Sequence, residues 1–179
     1  MLFERAVTQS LIKQYTNSVN TYTSAIDLNP ANPFLYFNRS TTRAEMIDFI
    51  SSIDNSYQRI SINADPANRL NNNSKRTYSY DEAIADLNKA IKLFPDFAYS
   101  YYNRATLQAL SGNLPEAFED YTKAIELNPD FAEAYYNRGI VQILMKDTRK
   151  GCLDLSKAGE LGIDEAYRIL KRYAQGEEE

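Results

Sequence analysis

The sequence predicts an all-α protein built as an array of helix pairs, and three observations carry that prediction. The stretch from Phe97 to Pro129, FAYSYYNRATLQALSGNLPEAFEDYTKAIELNP, begins again at Phe131 as FAEAYYNRGIVQILMKDTRKGCLDLSKAGELG. The step between the copies is constant, so that Tyr101 aligns with Tyr135, Asn103 with Asn137 and Ala124 with Ala158. Self-similarity at a fixed step marks an array of supersecondary units. Within each copy, two apolar patterns of helical spacing are separated by a break, and a proline closes the unit.

The best copy shows why each piece forms. Tyr101, Ala105 and Ala109 mark one face of a first helix. Ser111-Gly112-Asn113 interrupts it, because Gly ends helices at little cost and Asn tolerates turn geometry. The second helix opens at Leu114-Pro115, where a first-turn proline gives up no needed N–H. Ala117, Phe118, Tyr121, Ala124, Ile125 and Leu127 form its inner side, and Asn128-Pro129 stops it. Small residues stand where the paired helices must approach closely: Ala105 in the first, Ala117 and Ala124 in the second. This pattern, closing after about 34 residues, resembles the tetratricopeptide repeat (TPR). The resemblance implies a right-handed TPR superhelix, an α-α solenoid of four helix-turn-helix repeats in a single domain over residues 1–175.

Taken in order, residues 1–30 are the first and weakest copy, with Leu2, Ala6 and Gln9 in one helix and Tyr15, Ser18, Tyr22 and Ala25 in the next. Met1-Leu2-Phe3 falls inside what should be the opening turns of a first helix, so the chain reads as a piece of a longer protein. The second repeat, residues 31–97, starts at Pro33-Phe34-Leu35-Tyr36, but its second helix begins only at Tyr80-Asp81-Glu82-Ala83. Tyr36 and Tyr101 are 65 residues apart, so about 31 residues, roughly 47–77, are inserted between the two helices of one repeat. Met46, Phe49, Ile50, Ile53 and Tyr57 keep helical spacing, which extends the first helix by two or three turns. Arg59–Asn63 and Arg76–Tyr80 alternate polar and apolar residues around a stretch rich in turn formers, the signature of a small β-hairpin. A helix followed by a disordered loop is the other reading of the same stretch. A hairpin alone is marginal in water and would need Phe49, Ile53 and Tyr57 as a platform. Repeats three and four follow at 98–131 and 132–163. Residues 164–175 place Ala166, Ile169, Leu170 and Tyr173 opposite Glu165, Arg168, Lys171 and Arg172, the pattern of a closing, solvating helix. Residues 176–179 are an acidic, solvated tail.

Composition narrows the function. Apolar residues make up 44% and charged residues 25%, which is ordinary globular usage. A net charge of −4 argues against a nucleic-acid surface, which needs clustered Lys and Arg. The sequence holds no apolar run of membrane-spanning length and no signal-like start. With no histidine, neither a Ser-His-Asp nor a Cys-His arrangement can be assembled. One thiol makes a zinc site improbable, and six scattered glycines build no phosphate loop. Cys152 reads as a packed thiol in preference to a reactive one. Glu116, Glu119 and Asp120 read as a solvated helix face beside Lys123. We therefore expect no enzymatic activity and no cofactor; compartment cannot be read.

Two polar series recur. Arg39, Arg104 and Arg138 on first helices match Asp86, Asp120 and Asp154 on second helices, which suggests a structural ladder of ion pairs. Asn38, Asn103 and Asn137 are different. In TPR arrays the first helices line the concave surface, and asparagine at this place resembles the ladder that some peptide-binding members offer to a ligand's backbone. The neighbours implied on that surface are Phe34, Phe37 and Thr41, then Tyr99, Tyr102, Thr106 and Leu110, then Glu133, Tyr136, Ile140 and Leu144. Such a groove is aromatic and has little positive charge, and tyrosines supply rigid contact area at modest entropic cost. Tyrosines on helices also serve simply as packing. The co-chaperone kind of TPR grips a terminal carboxylate with basic residues, but the matching places here hold Phe3, Val7, Tyr99 and Asn103, and only Asn38 agrees. A neutral or basic extended peptide, or a helix, suits the groove better. The rival is a structural or assembly role, in which the first repeat or the apolar inserted helix docks another copy or packs on further repeats of a longer protein.

Overall fold

The computed structural model describes residues 1–64 and 79–174, with side chains over 1–52 and 79–173. Among the described residues every regular element is an α-helix: α1 (Leu2–Leu11), α2 (Tyr15–Leu28), α3 (Pro33–Ala64), α4 (Asp81–Leu93), α5 (Ala98–Leu110), α6 (Leu114–Leu127), α7 (Ala132–Leu144), α8 (Thr148–Glu160) and α9 (Asp164–Ala174). The chain divides into two compact units, Met1–Asp86 and Leu87–Glu179, so that α4 contributes to both.

In the first unit α1 packs on α2 and α2 on α3 around Ala6, Tyr22, Ala25, Ile26, Leu35 and Tyr36. Ala6 and Ser18 are fully buried where α1 and α2 meet, and the Ser18 hydroxyl donates to the Ala6 carbonyl at 2.8 Å. That bond satisfies a hydroxyl that burial would otherwise penalise, as does the bond from the Thr21 hydroxyl to Gln9 Oε1 at 2.7 Å.

α3 departs most from expectation. It runs 32 residues against 13 for α5, an overrun of about five turns where two or three were expected. Arg59–Asn63, read from its alternation as a strand, is the last stretch of this helix. The partner arm, apart from Ser79 and Tyr80 (neither in a strand), lies outside the described residues, as do the side chains of Ile53 and Tyr57. The physical reason is at the turn. The chain leaves α1 and α5 through a residue with positive φ, Lys13 at 61° and Gly112 at 85°. The position of α3 that corresponds in the sequence spacing is Ile47, whose branched side chain resists the left-handed region. No Gly or Pro follows before Ala64. Each further residue then adds a helical bond without a new nucleation cost, whereas a lone hairpin would have to close on its own. Phe49 is held by the α1–α2 turn: its ring lies 5.7 Å from that of Tyr15 and 5.5 Å from the Lys13 ammonium. The Tyr80 hydroxyl donates to Asp48 Oδ1 at 3.0 Å, tying the returning chain to the overrun.

In the second unit α5, α6, α7, α8 and α9 each pack on the next. Ala105, Ala117, Tyr121, Ala124, Phe131, Ala134 and Val141 form its main core. The paired helices meet through small residues: Ala105 and Ala117 are fully buried, and the equivalent places in the next copy are Gly139 and Gly151. α9 covers Leu155 and Ala158 with Ala166, Ile169 and Leu170. Tyr167 lies over Gly159, where a β-carbon would come within 2.5 Å of the ring.

Candidate interaction site

The two recurring polar series have separated. All three arginines turn into the helix packing. Arg104 Nε and Nη2 donate to Asp120 Oδ2 and Oδ1, both at 2.6 Å. Arg138 makes the same fork to Asp154 at 2.7 and 2.9 Å, and Arg39 to Asp86 at 2.9 and 2.6 Å. The remaining Nη1 of each arginine reaches back 16 residues, to Thr23 Oγ1, Asn88 Oδ1 or Thr122 Oγ1. Each guanidinium also lies 5.6–5.8 Å from the ring of the tyrosine one turn earlier, Tyr36, Tyr101 or Tyr135. One arginine thus fastens its own second helix and the second helix before it. Asp120, read from the sequence both on a solvated face with Glu116 and Glu119 and as a ladder partner of Arg104, is buried in the fork. Arg43 adds a second partner to Asp86 and reaches Glu82 at 3.0 Å.

The asparagines and their neighbours remain at the surface, and none of the fourteen predicted site residues is buried. In the first unit Phe34 is exposed, while Phe37, Asn38 and Thr41 are half-buried. Asn38 Nδ2 donates to the Phe34 carbonyl at 2.6 Å, leaving its Oδ1 as an acceptor. Asn38 and Thr41 line a hollow of about 320 Å³ whose other walls include Val7, Leu11, Tyr22 and Glu45. Burial and then the Glu45 charge push the Tyr22 hydroxyl up to about 12. A second hollow of about 260 Å³, sharing Lys13 and Tyr15 with the first, is walled by Met46, Phe49 and Ile50 of the overrun. Sequence reading did not count Leu11 and Glu45 in the surface. The signal was present, since both occupy the place held by Leu110 and Leu144 in the later repeats.

In the second unit α5 supplies Tyr99, Tyr102, Asn103, Thr106 and Leu110, and α7 supplies Glu133, Tyr136, Asn137, Ile140 and Leu144. Tyr99 is 49% exposed, Leu110 60% and Leu144 61%. Asn137 Nδ2 donates to the Tyr102 hydroxyl at 3.0 Å, which joins the two helices across their outer faces. Thr106 Oγ1 and the Tyr121 hydroxyl lie 2.9 Å apart, and burial pushes the Tyr121 hydroxyl up to about 12. Phe131, which the sequence reading left out, is the centre of the aromatic group: its ring is 4.9 Å from Tyr99 and 4.7 Å from Tyr102. Tyr102, Tyr136 and Ile140 also pack on the core, so they carry both duties. Asn103 makes no side-chain hydrogen bond to the described residues, and its amide can both donate and accept.

Helix pairs joined through small residues, braced by a repeated arginine fork and facing outward with aromatics and amides, define a helical-repeat protein. Residues 79–112 and 108–145 match the family model of the TPR repeat, so this part of the chain is built of tetratricopeptide repeats. Its structure is similar to the crystal structure of MamA, at a TM-score of 0.72 and 18% identity, covering 96% of this chain and 84% of that one. It is also similar to the first TPR of Spaghetti (RPAP3), bound there to the HSP90 peptide SRMEEVD, at a TM-score of 0.58 and 22% identity, with 81% and 90% covered. The TPR2B domain of yeast Sti1, in its pHsp70 complex, aligns at a TM-score of 0.50 and 28% identity over 53% of this chain and 82% of that one. No curated protein matches the chain in sequence. Among the described residues no helix is long and apolar enough to cross a membrane.

Proposed function

We propose that the chain is a non-catalytic protein-interaction module that binds a peptide or protein segment on the outer faces of its first helices. In this reading α1–α2, α3–α4, α5–α6 and α7–α8 are four repeats and α9 closes the array. The observation that carries it is the sorting of the series that recur along the chain: the arginines are used up in packing, while Tyr99, Asn103, Leu110 and Leu144 stay in contact with solvent on α5 and α7. A soluble fold has no packing reason to keep large apolar side chains repeatedly exposed at one register. The peptide complexes of the RPAP3 and Sti1 domains support binding as the use of this architecture. The peptide SRMEEVD is acidic. The places that would meet its terminal carboxylate hold Phe3, Val7, Tyr99 and Asn103 here, which supports a neutral or basic segment instead. Ordering such a segment costs entropy, so roughly micromolar affinity is expected.

The test is selection from a displayed library of randomised peptides. Tyr99→Ala and Asn103→Ala alter surface groups and should weaken a selected peptide about tenfold each. Retention of no peptide, or affinities unchanged in both variants, refutes the reading. A second reading, assembly with another copy, is favoured by Leu11, Ile12 and Ile50, exposed near the α1–α2 turn and on the overrun. It predicts a dimer in light scattering that Ile50→Asp dissociates.

A further inference from the structure

We infer that the outer face of α5 and α7 holds a subsite for a basic side chain, a lysine or arginine of the bound segment, with Tyr99 as its floor and Glu133 as its counter-ion. The inference rests on the binding reading above and narrows it to one chemistry. Tyr99 and Glu133 occupy the same register of consecutive first helices, one repeat apart. The Tyr99 ring is braced by Phe97 at 5.5 Å and Phe131 at 4.9 Å, yet half of the residue remains exposed. A braced ring that keeps half of its residue in solvent can receive a cation, which the π-system attracts. Tyr102 shares the same neighbour, 4.7 Å from Phe131. Glu133 lies two residues past Phe131 in the first turn of α7, is exposed, and forms no ion pair among the described residues. Burial, and after it the Glu133 charge, raise the Tyr102 hydroxyl above its usual range, so this carboxylate acts on the aromatic group directly.

The charge balance of the face is one-sided. α5 and α7 carry three charged residues: Arg104, Arg138 and Glu133. Both arginines are consumed by Asp120 and Asp154, which leaves Glu133 as the one formal charge these helices offer a guest. Asn137 spends an N–H on Tyr102 and keeps its Oδ1, adding a second acceptor nearby. Aromatic faces, a carboxylate and an amide oxygen select a donor-rich cation over a neutral or acidic side chain.

The same randomised-peptide selection decides it. Peptides retained by the wild type should carry Lys or Arg at one fixed position. Replacing that residue by Gln should weaken binding about tenfold. In Glu133→Gln, an exposed substitution, selection should still succeed but the basic preference should vanish. Retained peptides with no basic position, or a preference that survives Glu133→Gln, overturn the subsite while the binding reading stands. Retention of no peptide overturns both.

Discussion

Gly139 and Gly151 bring the backbones of α7 and α8 into contact: a β-carbon built on Gly151 would stand 2.6 Å from the Gly139 carbonyl oxygen and 2.6 Å from Ile143 Cγ1. One obstacle is backbone and cannot swing aside. Gly151→Ala gains about 1 kcal/mol of helix propensity but overpacks the contact by up to about 3 kcal/mol. A net loss of about 2 kcal/mol in urea unfolding is expected. Unchanged stability would mean that the helices separate freely at this contact.

The Arg104–Asp120 fork gives a second prediction. Removing one partner strands the other, and Asp120 is only 7% exposed. Breaking a buried pair costs about 3–5 kcal/mol, and Arg104 keeps a fifth of its side chain in water, so Arg104→Ala should cost about 3 kcal/mol. The paired replacement Arg104→Met with Asp120→Leu should cost distinctly less. A loss under about 0.5 kcal/mol for the single change would show that the fork does not hold the helices.

Turns supply the third. Lys13, Gly112 and Lys146 occupy the same place after α1, α5 and α7, and all have positive φ. A side chain there costs about 1–2 kcal/mol, and glycine costs about 0.5–1 kcal/mol in chain entropy. Lys146→Gly should therefore stabilise by about 0.5–1 kcal/mol, and Gly112→Ala should destabilise by about 1 kcal/mol although its β-carbon meets nothing within 4 Å. Thermal unfolding of the two variants in opposite directions is the expected result.

Buried tyrosines set the alkaline limit. The Tyr22 and Tyr121 hydroxyls are pushed from 10.0 up to about 12, chiefly by burial. A folded value above the unfolded one means their contribution is complete below pH 10 and is lost as pH rises towards about 12. Spectroscopic titration should show at least two late tyrosinates, and Tyr121→Phe should remove one of the latest. Ionisation of all tyrosines together near pH 10 while the fold persists would contradict this burial.

Much of this architecture was legible because packing requirements repeat with the chain. Small residues at Ala105 and Ala117 located the helix crossings, and the spacing of Arg104 and Asp120 located the fork. The overrun of α3 was less legible. Five alternating residues, Arg59–Asn63, fit a strand and a helix face equally over so short a span, and periodicity cannot choose between them. What chose was a single position, Ile47, where the other repeats place a residue able to turn. The surface was legible as a set of residues but not by duty. Nothing in the spelling of Asn103 and Asn137 distinguishes the open amide from the one bonded to Tyr102. Phe131 escaped notice because it precedes α7, although its ring is what braces Tyr99.

The backward reach of each arginine has a consequence for how the second unit comes apart. Arg104 grips Asn88 of α4 and Asp120 of α6; Arg138 grips Thr122 of α6 and Asp154 of α8. α6 is thus clasped from both sides, and fraying at either end must first release a clasp that also steadies its neighbour. Linear arrays whose units are so interlinked unzip late and all at once. Amides of α6 should accordingly exchange with solvent only when the whole unit opens, not one repeat at a time.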